Sequence, residues 1–306
     1  MKSIGFKVGD PLALLTDELQ NFQEMAKQIM PRPGEIPTLD GIDVFGDTVP
    51  LNGFAGGDHI IYVDYQKRYD LEARIKEGIS TGRSEVVANL ERCRTMAGIV
   101  LLDVSGHRVT DALLAAMLHQ GFLLGSLYEL DTFGHITRRL FENLNTRFYQ
   151  SSSRAKFATM IYGEIAQDTT FRFLSAAHPA PVVFSNQHDR FMDVSPELCT
   201  SFPPIGVLPS NDVIDRSRTQ SVLGFKGQYQ LNEWRLMGRG DILLLYTDGL
   251  SEHAREDESY FPGRLERTIR AIKHCGAKEI VQAIQSDALD FATPSDDISI
   301  VVIKRK

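Results

Sequence analysis

GRGDILLLYTDGLSEHA, residues 238–254, carries an unbroken apolar run from Ile242 to Tyr246 that closes on Thr247, Asp248 and Gly249. A short run of that kind predicts a strand buried on both faces, with a carboxylate presented at its C-terminal end. GIVLLDV, residues 98–104, repeats the pattern and ends on Asp103 and Val104. Two further acids hold comparable places. Gly56-Gly57-Asp58 opens a strand-like stretch, HIIYVDY (59–65), and Asp296-Asp297 opens ISIVVIK (298–304). Neighbouring glycines let the backbone turn sharply and approach closely. Asp-Gly after a strand is by itself only a turn signal. Four acids in this order, each tied to a buried strand, predict a carboxylate cluster that repels itself unless a divalent cation joins it.

Composition sets the frame for that cluster. With 306 residues, 42% of them hydrophobic and 24% charged, the chain fits one large globular domain, or one domain with a small appendage. The net charge of −7 argues against a nucleic-acid partner, which needs a basic surface. It is compatible with a solvated acidic surface and with a site for cations. Cys93, Cys199 and Cys275 match neither a zinc spacing nor a disulfide framework, so a reducing, cytoplasmic setting is expected. MKSIGFKVGDPLALL lacks the pattern of a signal peptide. The apolar stretch Ala112–Tyr128, interrupted by His119, Gln120 and Gly121, falls short of the ~20 residues of a membrane span and predicts a buried core helix.

The remaining chain supplies a scaffold. Asp10 and Pro11 predict a helix start, and Leu12, Leu15, Leu19, Phe22, Ala26 and Ile29 form a heptad seam. That seam either pairs with a second copy or packs on its own domain. Pro31 and Pro33 stop it. Tyr69–Ala97 reads as helical, divided at Gly82. Thr110 is a candidate cap for the next helix, with Asp111 in its first turn, and a second helix is expected over Phe133–Phe148. Strands follow in ATMIYGEIA (158–166), TFRFLSAA (170–177) and PVVFS (181–185), with a hairpin at Asp168-Thr169. Residues 186–235 are irregular and form a candidate flap. A helical stretch over Leu265–Phe291 precedes the last strand.

Seven stretches occur in an order that resembles a known family: GGDHIIYVDY (56–65), LLDVSGHRVTDALLAAMLHQ (101–120), FATMIYGEIA (157–166), LSAAHPAPVVF (174–184), FPPIGVL (202–208), GRGDILLLYTDGLSEHA (238–254) and DDISIVVIK (296–304). The chain resembles the catalytic domain of SpoIIE-type phosphatases, the bacterial branch of the metal-dependent type 2C protein phosphatases, over residues 34–306. The resemblance implies an α+β fold, a four-layer αββα sandwich of two mainly antiparallel sheets flanked by helices. Residues 1–33 would then be an N-terminal helix serving as a dimerisation or regulatory linker. It implies two Mn²⁺ or Mg²⁺ ions held by Asp58, Asp103, Asp248, Asp296 and the backbone carbonyl of Val104. Asp297 matches less well, because the family places the ligand first in the pair. Two such ions, about 3.5–4 Å apart, activate a shared water for in-line attack on a phosphoserine or phosphothreonine. The implied substrate is a bacterial regulatory protein, a STAS-domain anti-sigma-factor antagonist in a partner switch.

The sequence also departs from the family. Ile61 stands where the family commonly has a second acid, three residues after Asp58. Asp64 either approaches a metal through water or is an ordinary strand or turn aspartate. Arg108 follows His107 where glycine is common, and either grips a phosphate or is a solvated helix-start residue. His59 and His107 flank candidate ligands and either protonate the leaving oxygen or are structural. His178 is expected to be structural. The 69–97 segment is longer than the family's connection, as a docking insert or as a helical pair covering a sheet. Two competing functions follow: a non-catalytic binding protein that keeps the fold, and a hydrolase of small phosphoesters.

Overall fold

The computed structural model describes residues 11–29, 33–51, 56–106, 109–151, 156–211, 219–235 and 238–306. In chain order the first elements are α1 (Pro11–Ile29), β1 (Ile42–Val49), β2 (Asp58–Asp64), α2 (Tyr65–Arg68), α3 (Leu71–Ser80), α4 (Ser84–Cys93) and β3 (Met96–Val104). Next come α5 (Val109–Phe133), α6 (Arg138–Ser151), β4 (Ala158–Ala166), β5 (Phe171–Ala176), β6 (Val182–Ser185), β7 (Arg190–Phe191), β8 (Ser201–Phe202) and β9 (Asn232–Trp234). The chain closes with β10 (Ile242–Tyr246), α7 (Asp248–Ser251), β11 (Ala254–Arg255), β12 (Glu258–Ser259), α8 (Gly263–Ile272), α9 (Ala277–Phe291) and β13 (Ile298–Arg305).

One sheet runs β1-β13-β10-β6-β7 and the other β2-β3-β4-β5-β8, with β9 also on β5. All these pairings are antiparallel except β5–β8. The period-2 alternation of the strands explains the layering. Ile60, Tyr62, Ile99 and Leu101 meet Val44, Leu243, Leu245, Val301 and Ile303 between the sheets. The alternate residues Ile61, Val63, Val100 and Leu102 face outward into the layer of α3, α4, α5 and α6. On the far side Leu244, Ile300 and Val302 pack against α8 and α9 through Leu265, Ile269, Ile280 and Ile284. This is the αββα sandwich.

Topology gathers the acids at one end. β2 and β3 are antiparallel with Asp58 opposite Asp103, so the start of one strand meets the end of the other. β10 and β13 are antiparallel as well, which brings Asp248, just after β10, to the end where Asp296 precedes β13.

Several expectations change in detail. Gly82, at φ +70°, does divide α3 from α4, and the pair contributes Leu71, Ile75, Leu90 and Cys93 to the helical layer. The 69–97 segment thus contains a helical pair that covers the sheet, and its last two residues, Met96 and Ala97, already belong to β3. α5 begins at Val109, so Thr110 lies inside its first turn rather than capping it. α6 starts at Arg138, because Gly134 at φ +74° ends the preceding helix. The expected helix over 265–291 is two helices, interrupted before Gly276. α5 is long and apolar enough, by length and composition, to cross a membrane. It is less buried than expected. Ala112, Ala115, Leu118, Phe122 and Leu130 enter the core, while Leu113, Met117, Leu124 and Tyr128 stay exposed. α1 lies against α5, and its seam residues Leu12 and Leu15 are exposed. Asp10 and the side chains of Leu19, Phe22, Ala26 and Ile29 lie outside the described residues.

Candidate metal centre

Asp58 is buried at the head of β2 and accepts a hydrogen bond from Thr247 Oγ1 at 2.7 Å. Its carboxyl is held well above the usual carboxylate range, first by burial and then by the charge of Asp103. Asp103 is pushed up to about 7 by burial and by the charges of Asp248, Asp296 and Asp297. Asp248 is raised by burial and by Asp296 and Glu252. The acids expected to act together therefore do share one electrostatic neighbourhood, although they come from four separate stretches of chain.

Asp296 and Asp297 divide their work. Asp297 is buried and its two oxygens accept from Leu51 N at 2.7 Å and Gly57 N at 2.8 Å, which clamps the turn before Asp58. Asp296 is half-buried and accepts from Asp297 N at 2.8 Å. The second acid of the pair thus serves the backbone, and the first is left with capacity for a cation.

Val104 ends β3 and donates its N–H to Gly57 O at 3.1 Å. A β-carbon on Gly57 would collide with the carbonyl oxygens of Val104 and Gly106, so only glycine admits them so close to Asp58. Carboxylates with a backbone carbonyl form a hard oxygen donor set of the kind that suits Mg²⁺ or Mn²⁺. Among the described residues no three His, Cys, Asp or Glu side chains converge tightly enough to hold an ion as they stand. Burial first, and then the neighbouring acids, raise the Asp58, Asp103 and Asp248 carboxyls, and an entering cation would offset both effects. Asp58, Asp103, Asp248 and Asp296 fit such a cation by chemistry and by charge.

The other singled-out residues separate from the centre. Asp64 sits at the opposite end of β2, about 20 Å from Asp58 at the strand rise. It is buried and accepts from Gln66 N, Lys67 N and Thr38 N, so it caps α2 and neither approaches a metal nor lies exposed. His59 is on the other face of β2 from Asp58, where its Nε2 lies 2.6 Å from His119 Nδ1 of α5. A leaving-group acid must face the acids; His59 faces the helices. The period-2 rule applied to Asp58 already carries that answer. His178 is buried, bonds Thr159 at 2.9 Å and is lowered to about 3 by burial, so it is neutral and structural. His107 and Arg108 lie outside the described residues. Thr247 and the clamp by Asp297 were not singled out from sequence. Thr247 could have been, since it directly precedes Asp248 at the end of a buried strand.

The family model for Stage II sporulation protein E (SpoIIE) matches residues 94–306, well over half of the chain. The chain belongs to the SpoIIE family. It is 25% identical over 213 residues to the phosphoserine phosphatase RsbU of Bacillus subtilis (strain 168), a match that covers 68% of this chain and 55% of that protein. The chain thus spans little more than half of that relative's length. Its fold matches the SiaA-PP2C domain of Pseudomonas aeruginosa with a TM-score of 0.65 and 13% identity, over 96% of this chain and 98% of that one. It matches the RsbU and RsbW domains of Rv1364c from Mycobacterium tuberculosis at 0.60 and 18%, over 90% and 64% of the two chains. The PP2C phosphatase domain of SpoIIE from Bacillus subtilis, with a fragment of its regulatory domain, gives 0.57 and 14% over 88% and 64%. These likenesses establish the PP2C phosphatase fold for this SpoIIE-family chain.

Proposed function

We propose that this SpoIIE-family chain is a metal-dependent protein serine/threonine phosphatase. Asp58, Asp103, Asp248, Asp296 and the Val104 carbonyl are its holders for two Mn²⁺ or Mg²⁺ ions. The carrying observation is the gathering of Asp58, Asp103, Asp248 and Asp296 at one end of the sandwich, where burial and then the neighbouring acids raise the first three carboxyls. When bound, such ions lower the pKa of water and neutralise charge on a phosphoryl group. The chain's own residues preorganise the site. Thr247 orients Asp58, Asp297 fixes the Gly57 turn, and Thr159, opposite Asp103 on β4, is held by His178.

The substrate class we propose is a phosphorylated STAS-domain protein of a partner switch. Support comes from the named activity of RsbU as a phosphoserine phosphatase and from the pairing of RsbU and RsbW domains in one solved relative. The 186–235 segment is suited to help select it. Ile205 bridges to Ala158, the residue opposite Val104, so this flap reaches the strand beside the centre. We further propose residues 1–33 as a linker that pairs with a second copy, consistent with exposed Leu12 and Leu15 on α1 and exposed Leu113 and Met117 on α5, the helix that α1 contacts. Leu12→Asp with Leu15→Asp should then lower the mass seen by light scattering.

The function is tested by incubating the chain with a phosphoserine-bearing STAS-domain protein and Mn²⁺ and following loss of phosphate by mass. Loss that stops on chelation supports the reading. Hydrolysis of free phosphoesters alone would favour a small-molecule hydrolase. A folded chain inert on both would favour a non-catalytic binding protein.

A further inference from the structure

Lys156 stands just before β4, and its ammonium touches the turn that follows β3. Its Nζ lies 2.5 Å from Asp111 Oδ1 and donates to the carbonyl oxygen of Ser105 at 2.8 Å. Asp111 is fully buried in the first turn of α5. Ser105 is tied to the next residue of the same segment in both directions. Ser105 N donates to Phe157 O at 2.9 Å, and Phe157 N donates to Ser105 Oγ at 3.1 Å. Gly106 turns with φ +106°, and a β-carbon there would press on the Asp111 carboxylate and on Lys156 Nζ.

The geometry has a direct consequence for Val104. The Val104 carbonyl and the Ser105 N–H belong to one planar peptide unit, so fixing one fixes the direction of the other. Phe157 O holds that unit by its N–H. Lys156 holds the next unit by its carbonyl, and Asp111 anchors Lys156 to α5. Two consecutive peptide planes are therefore locked from the β4 side, and the first carries the proposed carbonyl ligand. A charged donor gives a stronger bond to a carbonyl than a neutral one.

We propose that Lys156 is a positioning residue, which acts with Asp111 to aim the Val104 carbonyl at the metal centre. The inference rests on the metal reading above. Groups that orient a ligand commonly change metal affinity by about 10- to 100-fold when removed. The alternative is that Lys156 only neutralises a buried carboxylate and supports the fold.

The two roles separate in a set of variants: Lys156→Met, Lys156→Arg, and Lys156→Met combined with Asp111→Asn. On each full chain the thermal midpoint and the Mn²⁺ dissociation constant are measured, the latter by calorimetry. Lys156→Met alone removes the cation beside the buried Asp111 carboxylate and is expected to lower the midpoint. The double variant removes both charges and should recover it. A positioning role requires that the double variant still bind Mn²⁺ about 10- to 100-fold more weakly, because methionine offers Ser105 no donor. Lys156→Arg, which keeps a cationic donor, should recover most of the affinity. Wild-type affinity in the double variant would overturn the proposal while leaving the metal reading intact. A folded wild type that binds no Mn²⁺ would overturn the metal reading, and this inference with it.

Discussion

Glu142 and Asp58 are both buried carboxylates with opposite surroundings. Glu142, on α6, accepts from Lys226 Nζ at 2.8 Å and from Tyr229 N at 2.6 Å. Lys226 is itself buried and lies 3.2 Å from the centre of the Tyr229 ring. Around it, Asn145 binds Leu208 O, Ser210 Oγ and Gly206 N, so the flap is strapped to α6 by a polar network. Asp58 meets a neutral hydroxyl and further acids. A buried charge needs a partner. At the flap the chain supplies one; at the acidic end Asp58 meets a hydroxyl and further acids, the arrangement on which the proposed cation site rests. The comparison distinguishes a clamp from a site, and residue type alone does not.

The largest effect should come from the acidic end. Asp103→Asn keeps the shape of the side chain and removes a charge that the centre needs. Steady-state phosphate release with Mn²⁺ should fall by roughly 10³-fold or more, on the scale of losing a principal electrostatic group. A loss of less than tenfold would break the contrast with Glu142. Lys226→Met should act in the opposite way. Urea unfolding should show a loss of about 3–5 kcal/mol, the scale for stranding one member of a buried ion pair. The folded fraction should bind Mn²⁺ as the wild type does, and weakened binding would mean that the clamp and the centre are not separate.

Next in size is a pH effect on the metal-free protein. The Asp103 carboxyl rises on folding from 3.8 to about 7. A raised pKa contributes stability below the unfolded value, and that contribution is lost as pH rises through the folded one. Stability of the metal-free chain should therefore fall between about pH 4 and pH 7, by up to about 1.4 kcal/mol per pH unit for one proton. Asp103→Asn should flatten that slope in thermal melts. A slope unchanged by the substitution would place the titration elsewhere. The smallest effect should come from Asp64→Ala, which removes the cap of α2 at a cost of about 1 kcal/mol. Calorimetry should find Mn²⁺ affinity unchanged, as befits a carboxylate already satisfied by backbone donors.

The buried strands and the acids at their ends were legible in the sequence for a local reason, whereas the sandwich was legible only through the resemblance to SpoIIE-type phosphatases. A continuous apolar run such as Ile242–Tyr246 marks a strand buried on both faces, and the Asp that follows must emerge at its end. Antiparallel pairing then carries four such ends to one place. Partners distant in sequence were not legible. Lys226 meets Glu142 across 84 residues and Asp297 meets Gly57 across 240, and no pattern in either stretch announces the other. Asp64 was ambiguous because a cap and a ligand look alike until the donors are seen. The exposed stripe of Leu113, Met117 and Leu124 was also hidden. An all-round apolar helix reads as buried from sequence, and only the fold shows which of its residues stay exposed among the described residues.

The most direct test of a cation site among raised carboxyls is the count of protons released as Mn²⁺ binds. Calorimetry at pH 7 in two buffers of different ionisation enthalpy gives that number. Mn²⁺ should bind and displace protons from the Asp58 and Asp103 carboxyls, with less release in Asp103→Asn. Absence of Mn²⁺ binding by the folded wild type, or binding without proton release, would contradict a cation site there.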